Sequence, residues 1–219
     1  MKKPLMILQQ SIPLVLLLLC CGYVQGAPLY QVEAIVFQQS DDNAPMEASP
    51  SEPMPGLAEA QLLHATVSNG EPQAYDLLPQ NQWQLTSQEW ALRHKGEKRI
   101  LFHASWIQPI LTSKATAIRI QGGHVYRADG EIITDLDSHA PYNTVTDDST
   151  ELLGTLILTQ QRFINAQINL IMQVPTENNA FVTTSQLKQH QRMKENELHY
   201  FDNPHLGVLI KIIPYGQNK

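Results

Sequence analysis

The chain has 219 residues, of which 42% are hydrophobic and 16% are charged, and its formal net charge is −6 at pH 7. This length suits one domain with a sizeable core, or at most two very small domains. The acidic balance argues against nucleic acid and against an anionic lipid surface as the binding partner.

The N-terminus has the pattern of an export signal. Lys2 and Lys3 precede an apolar stretch from Ile12 to Cys21, which is too short for a typical membrane-spanning helix. Small side chains at Val24 and Gly26 suit the −3 and −1 positions of a signal peptidase site. We therefore predict a cleaved signal peptide over residues 1–26 and a mature domain over residues 27–219, without stable membrane insertion after cleavage.

Two alternatives for this segment stay open. The apolar stretch could remain uncleaved as an anchor, or Cys20 or Cys21 could be lipidated, although Leu19 is not the small residue that normally precedes a lipidated cysteine. Cleavage after Gly26 leaves a mature chain without cysteine and with a net charge of −8, since −6 loses two lysines and no acid. Disulfides and cysteine chemistry are then excluded.

The first mature element is predicted to be a strand. Residues 30–37 (YQVEAIVF) alternate and are rich in Val, Ile and aromatic residues. The next segment, residues 39–59, is acidic and rich in proline, with too little apolar surface to offset the entropy of ordering. We predict a flexible insert there.

A short helix is predicted between Leu85 and Gly96. Thr86 and Glu89 match a capping box, and Leu85 and Trp90 match a hydrophobic staple. This pattern places Trp90, Ala91 and His94 on the packing side, with basic residues in the last turn, where they favour the helix dipole.

The remaining chain is predicted to form short strands joined by turns. A hairpin is expected at Asp129-Gly130 and a bulge at Gly122-Gly123. The connections late in the chain are too short for crossover helices. The expected fold class is therefore α+β, a single domain built mainly from an antiparallel sheet with one or two helices. The strands are predicted over residues 99–108, 117–121, 154–160, 163–173, 186–194, 197–201 and 206–213, and residues 125–134 are predicted to be extended on both sides of the turn at 128–130.

Several segments resemble the CsiV family of periplasmic proteins. The resemblance is carried by residues 30–37 after an export signal, H-x-S-W-x-Q-P at residues 103–109, GTLIL at 154–158, and above all residues 191–215 (QRMKENELHYFDNPHLGVLIKIIPY). It implies a periplasmic, peptidoglycan-binding protein that regulates cell-wall assembly without catalysis or a cofactor. The implied partners are peptidoglycan, a bifunctional (class A) penicillin-binding synthase and the lipoprotein activator of that synthase. A protein-protein adaptor without glycan binding and a periplasmic hydrolase are the alternative functions.

Two strands carry candidate binding residues. In residues 186–194, extended geometry places alternate basic side chains on one face, where they could pair with stem-peptide carboxylates. The bases of the chain favour this location, because residues 93–219 hold 13 Lys and Arg whereas residues 28–92 hold none. The alternative is a lysine-decorated strand edge that resists aggregation. The candidates of this basic ridge are Lys188, His190, Arg192 and Lys194.

A row of amides on a second strand is the next candidate. Asn165, Gln167 and Asn169 could bond to sugar hydroxyls, with Phe163 or Tyr142 as a stacking platform, or they could be a plain solvated face. His199, Tyr200 and Asp202 are further binding candidates because they precede a turn in the segment most similar to the family. Aromatic residues at strand ends, however, usually pack.

Signatures of an enzyme or a metal site are weak. Ser185 and Lys188 match S-x-x-K, but in a strand this spacing points them to opposite faces, and the companion motifs are missing from the sequence. Asp135, Asp137 and His139 could offer ligands from one loop, yet no distant partner ligand is identifiable from the sequence. We therefore expect no catalytic residue, metal or other cofactor.

Overall fold

The computed structural model describes residues 27–39, 49–50, 54, 56–65, 71–112, 115–135, 138–139, 149–178 and 180–216. The predicted signal peptide, both cysteines and most of the predicted insert lie outside these residues. Within the described ranges, no helix has the length and apolarity needed to cross a membrane.

Four strands form the first sheet, in the order β3-β1-β10-β9, and each neighbouring pair is antiparallel. The first strand lies inside this sheet and is covered on both faces, since eight of its ten residues are buried. The strands are β1 (Leu29–Gln38), β3 (Ile100–Pro109), β9 (Leu198–Asp202) and β10 (Leu206–Tyr215).

Six strands form the second sheet, in the order β2-β8-β7-β6-β4-β5, again with antiparallel neighbours. The short β2 pairs only with the first part of β8, at Thr183 and Val182. The strands are β2 (Ser49–Pro50), β4 (Ala117–Tyr126), β5 (Ile132–Asp135), β6 (Ser149–Gln160), β7 (Ile164–Pro175) and β8 (Phe181–Met193).

The two sheets pack face to face around one core. Ala34 and Ile210 of the first sheet lie against Leu156 and Ile168 of the second, and all four side chains are buried. Strand β7 buries one of its faces, because the alternating side chains of Ile164, Ala166, Ile168, Leu170 and Met172 all belong to this core. The opposite face of β7 carries its amides.

The helix α1 (Thr86–His94) covers the outer face of the first sheet, and a 3-10 turn (Gln80–Gln82) precedes it. Leu85 and Leu92 pack with Ile35, Phe37 and Leu209 in a second, smaller hydrophobic cluster. The core of the fold therefore lies between the sheets, and the helix closes a separate layer on one side.

The predicted fold class is confirmed: the described residues form one domain with two antiparallel sheets and a single α-helix. The hairpin at Asp129-Gly130 is also confirmed, and the ladder between β4 and β6 shifts its register between Gly122 and Val125, as a bulge requires. Strand β8 begins at Phe181, five residues before the predicted start, because residues 181–185 pair with the end of β7 without an alternating pattern.

The predicted packing of the helix is wrong. No side chain caps its N-terminus, and Trp90 is 53% exposed, whereas Glu89 is buried. His94 is also exposed, and its ring stacks on Trp90 at the surface of the protein. The capping-box and staple interpretation fails because Glu89 points into the sheet, where it bonds to Arg93, His103 and His139.

Candidate functional site

Two groups of candidate residues, predicted separately, form one surface. In the ladder between β7 and β8, each amide lies directly opposite a side chain of the basic ridge. Directly opposite residues in antiparallel strands share a face and place their Cβ atoms about 5 Å apart. The pairs are Asn165 with Arg192, Gln167 with His190 and Asn169 with Lys188. We call these six residues the amide-basic face.

The amide-basic face lies on the outer surface of the second sheet. Lys188, His190 and Arg192 are exposed, whereas Leu187 and Met193 on the same strand are buried. A shallow depression of about 430 Å³ lies on this surface. Its lining includes Thr155, Ile157, Gln167, Asn169, Lys188 and His190.

One row of side chains passes through the depression and continues beyond it, across four strands in all. Arg119 of β4 lies opposite Thr155 of β6, which lies opposite Asn169 of β7 and, beyond it, Lys188 of β8. Burial lowers the pKa of the Arg119 guanidinium below its usual value, and its Nε atom has no hydrogen-bond partner among the described residues. Sequence reasoning did not find Arg119, because an isolated arginine in a strand gives no motif.

An aromatic ring closes one end of the amide-basic face. Phe163 lies in the turn between β6 and β7 and is 39% exposed. The guanidinium carbon of Arg192 lies 4.1 Å from the centre of its ring, which is cation-π distance. Asn165 donates from Nδ2 to the Phe163 carbonyl. Tyr142, the other platform suggested by the sequence, lies outside the described residues.

Lys194 does not lie on the same strand face as the other basic candidates. Strand β8 ends at Met193, and Lys194 lies in the following turn, where its Nζ atom is 3.2 Å from Glu197 Oε1. Asn196 takes a positive φ of 62° in this turn, as expected for an asparagine in a left-handed position. The amide-basic face therefore ends at Arg192.

The structure places His199, Tyr200 and Asp202 in the other sheet, on β9. The His199 ring accepts a hydrogen bond from the Lys194 backbone N–H. Tyr200 is 46% exposed and stacks on Phe37, with 6.4 Å between the ring centres. Burial and the neighbouring Asp202 carboxylate raise the pKa of the Tyr200 hydroxyl. These three residues are therefore separate from the amide-basic face.

The two sheets nevertheless meet at β8 and β9. Gln189 donates from Nε2 to the Asp202 carbonyl, and Asn203 donates from Nδ2 to Ser185 Oγ and to the Gln186 carbonyl. Asn203 thus holds the β9-β10 turn against β8. The S-x-x-K match lies in this strand, with Ser185 buried and Lys188 exposed, so it lacks the helical geometry of the enzyme motif.

A second polar cluster is buried beneath α1. His103 of β3 is fully buried, with Nε2 at 2.9 Å from Glu33 Oε1 and Nδ1 at 2.9 Å from Glu89 Oε2. Each ring nitrogen thus faces a carboxylate oxygen, so the ring is held from both sides. Glu33 is fixed in turn by the backbone N–H groups of Gln84 and Leu85.

Glu89 is the centre of this buried cluster. Burial raises the pKa of its carboxyl group, but hydrogen bonds from Arg93, His103 and His139 outweigh that effect and lower the pKa to about 2. The His139 Nε2 atom lies 2.7 Å from Glu89 Oε1. The Trp83 ring packs against both imidazoles, at 4.3 Å from His103 and 5.1 Å from His139.

Sequence reasoning missed this cluster because its members are distant in the chain. It assigned Glu89 to a helix cap and grouped His139 with Asp135 and Asp137; Asp137 and the Asp135 side chain lie outside the described residues. Glu33 is the one clue in the sequence to this cluster. It is a lone acid in an apolar strand, and its neighbours predict that the acid is buried, so it needs polar partners. Trp106 is completely buried and donates from Nε1 to Gln108, so it is a core residue.

These features define a class of protein: a two-sheet α+β domain that exposes a continuous face of amide and basic side chains. A family model described as "Peptidoglycan-binding protein, CsiV" matches residues 11–215 of the 219-residue chain. The chain therefore belongs to the CsiV family. Comparisons with curated proteins and with solved structures gave no match.

Proposed function

We propose that this protein binds peptidoglycan outside the cytoplasmic membrane, through the amide-basic face. The observation that carries the proposal is the register of β7 and β8, which places three amides beside Lys188, His190 and Arg192. The description of the family as peptidoglycan-binding supplies the ligand class.

The chemistry of the face suits this polymer. Peptidoglycan presents hydroxyl and acetamido groups on its sugars and carboxylates on its stem peptides. Asn and Gln side chains both donate and accept hydrogen bonds, as sugar hydroxyls require. Lys188 and Arg192 offer cations to a carboxylate, and Arg pairs with carboxylates in a bidentate geometry.

The charge of the whole chain favours specific contacts. The predicted mature chain has a net charge of −8, so its overall field does not attract an anionic polymer. The cations of the face therefore act only at short range, on a stem-peptide carboxylate already in contact, beside hydrogen bonds to the sugars. We expect binding to survive moderate salt, because hydrogen bonds to sugars are not screened as exposed ion pairs are.

A second function is suggested by the edge of the first sheet. Leu198 and Tyr200 are 45% and 46% exposed, two residues apart on β9, which lies at the end of the strand order of its sheet. An exposed apolar edge suits contact with a partner protein. We propose this edge for the partners that the family resemblance implies, a bifunctional penicillin-binding synthase or its lipoprotein activator. The protein then regulates wall assembly without catalysis of its own.

Cosedimentation of the purified protein with isolated sacculi tests the main proposal. We expect binding that persists at moderate salt, and loss of most of it in the double variant Lys188→Glu with Arg192→Glu. The double variant Lys95→Glu with Lys211→Glu is the matched control, because it makes the same charge change at α1 and β10, in the other layer.

Each outcome separates the hypotheses. Binding that is equal in both double variants contradicts the amide-basic face as the site. If the wild-type protein does not bind sacculi at all, the protein is an adaptor without glycan binding. In that case Leu198→Ser with Tyr200→Ser should abolish capture of the synthase or activator. Release of soluble muropeptides by the purified protein would make it a hydrolase.

A further inference from the structure

We propose that the buried cluster beneath α1 is a zinc site, with Glu89, His103 and His139 as its three protein ligands. One ligand atom from each of these residues lies within 4.8 Å of the others. Two imidazole nitrogens and a carboxylate form a donor set typical of zinc sites with one position open to solvent.

The three ligands come from different parts of the fold. Glu89 is on α1, His103 is on β3, and His139 follows β5. The atoms that would bind the ion already face one another: His103 Nδ1 lies 2.9 Å from Glu89 Oε2, and His139 Nε2 lies 2.7 Å from Glu89 Oε1. On each ring the proton must leave the nitrogen that faces Glu89 before zinc can bind there: a neutral ring moves it to its other nitrogen, and a doubly protonated ring releases it to solvent.

The surroundings of the cluster resemble those of a metal centre. Histidines that bind metals usually donate their other ring N–H to a carboxylate, which fixes the orientation of the ring. Glu33 occupies that position for His103, at 2.9 Å from Nε2. Gln80 Nε2 lies 3.0 Å from His139 Nδ1 on the exposed side, and as placed this amide nitrogen donates to the ring; with zinc on Nε2, the Gln80 amide must turn over so that its oxygen accepts the Nδ1 proton.

The cluster is shielded from solvent on one side and open to an entering ion on the other. His103 is completely buried, and the Trp83 ring packs against it. The His139 side chain is 27% exposed, so an ion can enter from its side of the cluster. Arg93 holds Glu89 Oε1 from the helix at 2.8 Å and partly offsets the negative charge of the two carboxylates.

Titration of the EDTA-treated, purified protein with zinc chloride, followed by calorimetry, tests this site. We expect one zinc ion per chain, and a visible absorption spectrum of four-coordinate cobalt when Co²⁺ replaces zinc. His139→Gln removes a ligand and should weaken zinc binding by more than about a hundredfold. That is the largest effect typical of losing a residue that only hydrogen-bonds to a ligand. Gln80→Ala changes only an exposed side chain beside a ligand and should weaken binding by about tenfold.

His64→Gln is the matched control. His64 also lies beside a carboxylate, with Nδ1 3.2 Å from Asp76 Oδ1, but outside the cluster. Its loss should leave zinc affinity unchanged. Failure of the wild-type protein to bind zinc overturns the proposal, as does equal affinity in His139→Gln and the wild type. Loss of binding in His64→Gln would also overturn it. Because the cluster is distant from β7 and β8 in the fold, sacculus binding can fail while zinc binding is retained.

Discussion

Arg192 covers the ring of Phe163, with 4.1 Å between the guanidinium carbon and the ring centre. The contact joins the basic ridge on β8 to the turn that begins β7. It places a cation, an aromatic surface and the amide of Asn165 at one end of the same face. A sugar ring with a nearby carboxylate could use all three, so this corner is the best place to test carbohydrate recognition.

Phe163→Ala should weaken binding to sacculi by about fivefold, because an aromatic stacking contact is worth about 1 kcal/mol. The side chain is 39% exposed, so the free energy of unfolding should change by less than about 1 kcal/mol. Leu198→Ala, at a residue of similar exposure on β9, is the control and should retain full affinity. Unchanged binding of Phe163→Ala would exclude the ring as a sugar platform.

Arg119→Gln should weaken sacculus binding by about tenfold, since a hydrogen bond to a charged group contributes about 1.5 kcal/mol or more. The free energy of unfolding should change by less than about 1 kcal/mol, because the Nε atom has no partner among the described residues. Arg127→Gln, at an exposed hairpin arginine, serves as the comparison. If the two variants bind equally well, the row across four strands has no role in recognition.

Gly154→Ala should destabilise the protein, because a Cβ atom there would lie 2.1 Å from the Asn169 carbonyl oxygen and 2.7 Å from Leu170 Cα. Overpacking of this kind costs about 1–3 kcal/mol, which urea denaturation would measure. Gly96→Ala at the end of α1 should cost less, since its closest contact is 3.1 Å. A Gly154→Ala variant with an unchanged free energy of unfolding would show that β6 and β7 can move apart without destabilising the fold.

Tyr30 should make the fold sensitive to alkaline pH. Burial and the Glu195 carboxylate raise the pKa of its hydroxyl above 10, so the folded chain holds this proton where the unfolded chain has lost it. The stabilising contribution of the Tyr30 proton is therefore fully present below pH 10, and it is lost as the pH rises through the folded-state pKa of Tyr30. Urea denaturation at increasing pH should show a steeper loss for wild type than for Tyr30→Phe. Parallel curves would contradict this linkage.

Much of the fold could be predicted from the sequence, and the reason is local. The alternation of Ile164, Ala166 and Ile168 with polar residues fixes which face of β7 is buried. Asp129-Gly130 fixes a hairpin, and the positive φ of Asn196 matches its residue type. Both amide and basic candidates were identified on their strands, because a period of two assigns side chains to faces.

The helix shows where local patterns fail. Thr86 and Glu89 have the spacing of a capping box, and the spacing is equally compatible with a glutamate that points inwards. His103 and Arg93 decide between the two, because hydrogen bonds in a buried site stabilise the carboxylate more than a cap at the surface does. Arg93 is visible in the local sequence as an i,i+4 partner of Glu89, but His103 lies on a distant strand and is not.

Local patterns in the chain predict most of the strands and the side chains that they bury or expose, because this alternation follows from neighbouring residues. That Gln167 lies opposite His190, and that Glu33, Glu89 and His103 meet beneath α1, emerges only in the folded protein. Register and sheet packing depend on contacts between residues far apart in sequence, and no single segment contains the free energy of those contacts.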